Sequence, residues 1–148
     1  MKVYLDTSVL NVWLFGWEQE AERYAQVCHL FEAINAGMVQ AIVSLYSLQE
    51  ICVYCQDNFP AEFSPTVARL AVHDLLNNQL ALVPLLSRME RLIYGRRFSM
   101  ADASDQSHAV IAFLQKCDAI ITYDTHYQAI AHLLPCKTPK EIVEKMDR

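Results

Sequence analysis

Four short apolar runs punctuate the chain: Lys2–Leu5 (KVYL), 39–43 (VQAIV), Leu80–Val83 (LALV) and 119–122 (AIIT). Each is strand length, free of Gly and Pro, and followed by a stretch whose apolar residues recur at helical spacing. Parallel pairing needs a crossover of a dozen or more residues, so strands that alternate with helices build a mainly parallel sheet. The pattern predicts an α/β architecture with helices flanking one central sheet. The 148 residues suit a single domain, 1–148, and contain no repeat, linker or biased segment.

The helical stretches have readable ends. The first, 18–36, stops at Gly37, a residue suited to a left-handed helix end. Residues 45–56 carry Glu50, and Ser64-Pro65 opens a helix to about Asn78 with proline in its first turn. A further helix is expected over 85–94, broken by Gly95-Arg96-Arg97, and a longer one capped by Ser99 or Ser104 and running to about Lys116. A short helix follows Asp124, and a last one starts at Thr138-Pro139. Trp13 and Trp17, four positions apart, would share one helix face, serving either core packing or a partner surface.

Composition excludes several classes. Hydrophobic residues make up 53% and charged residues 20%, which is incompatible with disorder. An aspartate interrupts the opening apolar run after three residues, so no secretory or transit signal is expected. No apolar stretch approaches the roughly 20 residues of a membrane span. Five cysteines, an odd number, fit reduced thiols and a cytoplasmic location. Cys52-Val-Tyr-Cys55 reads either as buried thiols or as a zinc or redox pair, with His132 and Cys136 available to complete a metal site. Twelve basic against seventeen acidic residues, a net charge of −5, argue against a uniformly basic nucleic-acid surface.

The acids are not scattered evenly. Asp6 follows KVYL directly, and Asp124 follows AIIT-Tyr123. Ligands of parallel sheets bind outside the carboxyl ends of the strands, where both aspartates are expected. Glu50, two turns into the helix after the second strand, and Asp105, at the start of the helix before the AIIT strand, fall near the same edge. Crowded carboxylates repel one another unless a cation neutralises them, and Mg²⁺ or Mn²⁺ favours such oxygen ligands. The alternative is a set of unrelated acids, with Asp102 and Asp105 merely offsetting a helix dipole and Ser99 with Asp102 forming a cap.

The residues around these acids resemble PIN-domain nucleases. VYLDTSVL (residues 3–10) is similar to the family's opening strand and Asp-Thr-Asn/Ser motif. SLYSLQEI (44–51) resembles the second motif, DQSHA (105–109) the third, IITYD (120–124) the fourth, and TPKE (138–141) the family ending. The Asp105-to-Asp124 separation of 19 positions matches the family better than the 22 from Asp102. The resemblance implies a PIN-like three-layer fold and a metal-dependent endoribonuclease leaving 3′-hydroxyl and 5′-phosphate ends. Asp6, Glu50, Asp105 and Asp124 would be catalytic and hold Mg²⁺ or Mn²⁺, Asp102 would be accessory, and Ser8 and Thr122 would orient a water or ligand. The chain's size is most similar to VapC toxins of toxin–antitoxin pairs, which implies an RNA substrate, an antitoxin protein and a homodimer. A catalytically silent PIN-like module that binds RNA or protein is the alternative. A haloacid-dehalogenase-type phosphatase would need a second aspartate two positions after Asp6, where this chain has Ser8.

Two further groups stand near these motifs. Arg96 and Arg97, with Arg88 and Arg91 upstream, form the main cationic cluster and read either as phosphate contacts or as a solvated helix end. His108 lies on the helix face of Asp105 and suits packing or support of a ligand better than metal ligation. His126 and Tyr127 are either substrate contacts or loop residues.

Overall fold

The computed structural model describes residues 1–146, so the last two positions of the expected 1–148 domain lie outside it. Five strands form one sheet: β1 (Lys2–Leu5), β2 (Gln40–Ser44), β3 (Leu80–Val83), β4 (Ala119–Ile121) and β5 (Cys136–Lys137). Their order is β3-β2-β1-β4-β5, and every pairing is parallel. The helices are α1 (Thr7–Phe15), α2 (Ala21–Asn35), α3 (Leu45–Asn58), α4 (Ser64–Leu76), α5 (Arg88–Tyr94), α6 (Ala103–Leu114) and α7 (Pro139–Met146), with a 3₁₀ helix at Thr125–Ile130.

Strand register builds two cores because side chains alternate across a sheet. Val3 pairs with Ala41 and Ala119, and Leu5 with Ile121. These residues pack with Val9, Leu30, Phe31, Ile51, Leu75 and Ile142 from the helices on one face. The intervening residues Tyr4, Ile42 and Ile120 share the opposite register and pack against Phe98, Ala109, Ala112, Tyr127 and Ile130. Helices on both faces of a parallel sheet make the three-layer α/β architecture expected from the alternating pattern.

Two elements depart from the expectation. Helix α1 starts directly after β1, although its sequence TSVLNVWLF has no polar face. It forms because it packs against α2, α3 and α4, which leave none of its residues fully exposed, so it needs no wide polar stripe. The helix also corrects the tryptophan pairing. It ends at Gly16, leaving Trp17 outside it and 62% exposed. Trp13 instead stacks on Phe31 at 4.2 Å. Strand β5 is two residues long, too short to register as a pattern, and continues the sheet through Thr122 N–H donating to Lys137 O at 2.9 Å.

Gly37 adopts φ +73°, as its position after α2 implies, with no heavy atom within 4 Å of an added Cβ. Gly37→Ala is therefore expected to cost about 1 kcal/mol from backbone strain alone. Urea unfolding should register that loss at an unchanged m-value.

Candidate active site

The strand order turns at β1, since successive crossovers run outward to β2 and β3 and the chain then returns to lay β4 on the other side. The crevice at such a reversal, beyond the carboxyl ends of the strands, is where open parallel sheets bind ligands. Asp6 leaves β1 and Asp124 follows β4, one on each side of it.

Asp6 is buried and held by four donors. Its Oδ2 accepts from Ser8 N–H (3.2 Å), Ser8 Oγ (2.5 Å) and Thr122 Oγ1 (2.8 Å), and its Oδ1 from the Tyr127 hydroxyl (3.0 Å). The Ser8 contact is also the cap of α1, so this side chain starts the helix as well as facing the crevice. Burial foremost, and then the negative charges of Asp6 and Asp105, hold the Tyr127 phenol far above its ordinary range, so it stays a donor. Thr122 Oγ1 also accepts from Asp124 N–H at 2.9 Å.

Glu50 is equally occupied. Thr7 Oγ1 and Ser104 Oγ both donate to its carboxylate, and His108 Nε2 lies 3.1 Å from each of its oxygens. A carboxylate only accepts, so Nε2 carries a proton. Burial is the largest influence and acts to raise the Glu50 pKa, but the His108 bond and charge together with Ser104 and Thr7 outweigh it and bring the group down to about 2. His108 is itself buried, with Nδ1 at 2.5 Å from the Tyr4 hydroxyl. Its place is in support of Glu50, the role its helix position suggests.

Asp105 has the opposite fate. Burial first, then the charges of Asp124, Asp6 and Asp102, push its pKa up to about 6, with His108 opposing weakly. The imidazole of His126 approaches it, with Nδ1 3.7 Å from Asp105 Oδ2 and 3.4 Å from Asp124 Oδ1, although the side chain is 67% exposed. Asp124 in turn caps the 3₁₀ helix through His126 N–H at 2.8 Å.

The four expected acids thus divide. Asp105 and Asp124 come together with His126, their ligand atoms all within 4.8 Å of one another. This is the one such group of His, Cys, Asp and Glu among the described residues, so Cys52 and Cys55 find no third ligand. Asp6 adjoins that group closely enough to raise Asp105, whereas Glu50 is tied to it through the neighbours of Asp6 and Asp105, namely Thr7 and Ser104. Ser8 and Thr122 both bond Asp6, and Asp102 caps α6 through Ser104 N–H at 2.7 Å. The arginines lie elsewhere: Arg97 sits over the Phe113 ring at 4.5 Å, and Arg96 faces a cleft lined by Arg91, Ser99 and Gln106. Among the described residues, neither is ion-paired to the acids. His126 escaped notice as a ligand because its only sequence signal is its position two residues after Asp124.

No protein-family model and no curated protein matches the chain. Solved structures do. VapBC2 from Rickettsia felis, crystallised bound to a DNA fragment from its promoter, superposes over 93% of this chain and 98% of its own, with TM-score 0.62 and 13% identity. VapC20 of Mycobacterium tuberculosis, a sarcin–ricin loop cleaving toxin, covers 86% of this chain and 93% of its own, with TM-score 0.64 and 11% identity. The chain has the VapC fold. In that PIN-like fold the crevice between β1 and β4 is lined by carboxylates, and this chain's donor set there suits a hard divalent cation. Two carboxylates and an imidazole converge, and burial first, then the neighbouring carboxylates, penalise the charged form of Asp105, a penalty that a cation would relieve.

The two perturbed acids make opposite contributions to stability. Glu50, lowered to about 2, stabilises the fold above its ordinary value of 4.5, and that contribution is lost as pH falls toward 2. Asp105, raised to about 6 from 3.8, is favourable below its ordinary value, and stability is lost as pH rises through 6. Asp105→Asn should therefore make the metal-free protein more stable at pH 7.5 by about 2 kcal/mol, a gain that disappears near pH 4. Adding Mn²⁺ should raise the melting temperature of the wild type and leave that of the variant unchanged. Equal pH profiles for the two proteins would contradict this origin of the shift.

Proposed function

We propose that the protein is a Mg²⁺- or Mn²⁺-dependent PIN-domain endoribonuclease, the toxin of a toxin–antitoxin pair. The observation that carries this reading is the convergence of Asp105, Asp124 and His126, with Asp6 adjoining, at the sheet's switch point in a VapC fold. Asp105 and Asp124 would hold the cation, Asp6 would complete its carboxylate side, and His126 would move from pairing the acids to ligating or flanking the ion. When bound, the ion supplies charge neutralisation and polarisation of the scissile phosphoryl group.

The remaining work falls to the chain's own side chains. Ser8, Thr122 and Tyr127 fix the Asp6 carboxylate, so its lone pairs point one way before substrate arrives. Glu50, already saturated by Thr7, Ser104 and His108, anchors α3 to α6 and keeps a fixed negative charge beside the cation. Asp102 sets the start of α6 and therefore the place of Asp105. Arg96 and Arg97, on the α5–α6 side, would meet RNA phosphates away from the cut.

The partner part of the proposal is supported by the VapBC2 complex and by an apolar surface on α5. Met89, Leu92 and Ile93 are exposed there, and no residue of this helix is buried. Exposed apolar side chains gathered on one short helix mark a protein contact, here a homodimer or an antitoxin.

Asp124→Asn preserves the cap to His126 N–H while removing a ligand charge, so it should reduce RNA cleavage by more than about 100-fold with an unchanged circular dichroism spectrum. Wild-type cleavage by this variant, free of contaminating nuclease, would overturn the catalytic assignment. RNA binding without cleavage by the wild type would instead favour a silent binding module. For the partner surface, Leu92→Glu should turn a dimer into a monomer in light scattering, and a wild type that is already monomeric would reserve the α5 surface for the antitoxin.

A further inference from the structure

A cleft of about 260 Å³ opens beside the acids, where α1, the α1–α2 turn and α3 meet the loop after β4. Its lining includes Ser8 and Tyr123, so it is continuous with the crevice. Ser8 Oγ donates to Asp6, Tyr123 N–H donates to Ser8 Oγ at 3.1 Å, and Tyr123 immediately precedes Asp124. We propose that this cleft seats one unpaired base of the RNA strand next to the bond that is cut, an inference that rests on the ribonuclease reading.

Three features of the lining suit a base. Its rings are rigid: Tyr54 stacks on Phe15 at 4.9 Å, and Tyr123 lies under the Arg23 guanidinium at 4.7 Å. Unpaired bases are held on such aromatic and guanidinium planes. The lining also carries an unmet demand, because Asn11 Oδ1 is buried without a hydrogen-bond partner among the described residues. An unsatisfied buried acceptor is costly, and turning the amide toward an N–H on a base edge would satisfy it. Finally, the cleft does not repel an anionic strand. Glu20 is paired with Arg23 at 2.7 Å, and these are the only charged residues of the lining, so the lining itself carries no net charge.

The cleft differs in kind from the arginine cluster near α5. Phosphate contacts there would be indifferent to sequence, whereas an amide facing a base edge discriminates between bases. The site therefore assigns base preference to Asn11 and stacking to Tyr123 and Tyr54.

The test combines binding and turnover. Titration of the isotopically labelled, metal-free chain with 5′-AMP, 5′-CMP and 5′-UMP should shift the amide resonances of Asn11, Tyr54 and Tyr123, with unequal affinity among the three. In steady-state cleavage of a single-stranded RNA, Asn11→Leu and Tyr123→Ala should each raise KM roughly 10-fold at unchanged kcat, with wild-type Mn²⁺ affinity by calorimetry. Tyr123→Phe keeps the ring and loses only the hydroxyl bond to Arg23 O, so it should retain the wild-type KM. Nucleotide shifts elsewhere, or unchanged KM in both folded variants, would overturn the assignment, whether the cleft then stays empty or takes a protein side chain. A wild type that cuts no RNA yet binds nucleotides in the cleft would sink the ribonuclease reading and leave the base seat standing.

Discussion

The Asp6 carboxylate is the joint on which the site depends. Its backbone N–H extends the β1–β4 pairing to Ile121 O at 3.0 Å, and its carbonyl accepts the first bonds of α1. Its side chain then gathers Ser8 from α1, Thr122 from the end of β4 and Tyr127 from the 3₁₀ helix. A single residue thus ends a strand, starts a helix and ties down the loop bearing Asp124. Burying a carboxylate among one backbone and three side-chain donors is tolerable because both oxygens accept hydrogen bonds, while Oδ1, bonded to Tyr127 alone among the described residues, keeps acceptor capacity. Loss of any one donor would loosen the crevice rather than a remote part of the fold.

Around that joint the remaining charge is divided unequally. Glu50 has a protonated imidazole nitrogen and two hydroxyls, and its pKa falls to about 2. Asp105 has burial and three like charges, and its pKa rises to about 6. Ser104, whose hydroxyl serves Glu50, immediately precedes Asp105 on α6. The protein spends its donors on one acid and leaves the next without them. That asymmetry separates an acid that organises the fold from one that the proposed cation would use. The imidazole nearest the second acid, His126, is exposed and at 3.7 Å rather than hydrogen-bond distance, so it yields easily.

Much of this was legible before any coordinates. The strands were marked by short aliphatic runs, and Asp6 and Asp124 by their places at the ends of two of them. Gly37 and Pro139 marked helix ends by backbone chemistry alone. Helix α1 was not legible because amphipathic periodicity fades in a helix that packs against three others and exposes no residue fully. Strand β5 was too short to carry a pattern. The division of labour among the acids was equally hidden, since it depends on Thr7 from α1 and Ser104 and His108 from α6 arriving at one carboxylate of α3. The place of Arg97 was hidden as well, since nothing in its sequence neighbourhood marks the Phe113 ring over which its guanidinium lies.

The net charge of −5 takes on a different meaning once these positions are known. Setting aside Asp6, Glu50, Asp105 and Asp124 leaves 12 basic against 13 acidic residues, a nearly neutral surface. Affinity for a polyanion drawn from phosphate neutralisation grows with an excess of cations, and a surface balanced between the two signs offers little long-range attraction to RNA. With the proposed cation in the crevice, what would hold a strand is short-ranged, namely that ion and the aromatic planes beside it. A surface of that kind holds a strand weakly wherever it lands and firmly only where an unpaired base and a phosphate fit together. Discrimination then comes from shape and stacking rather than from charge.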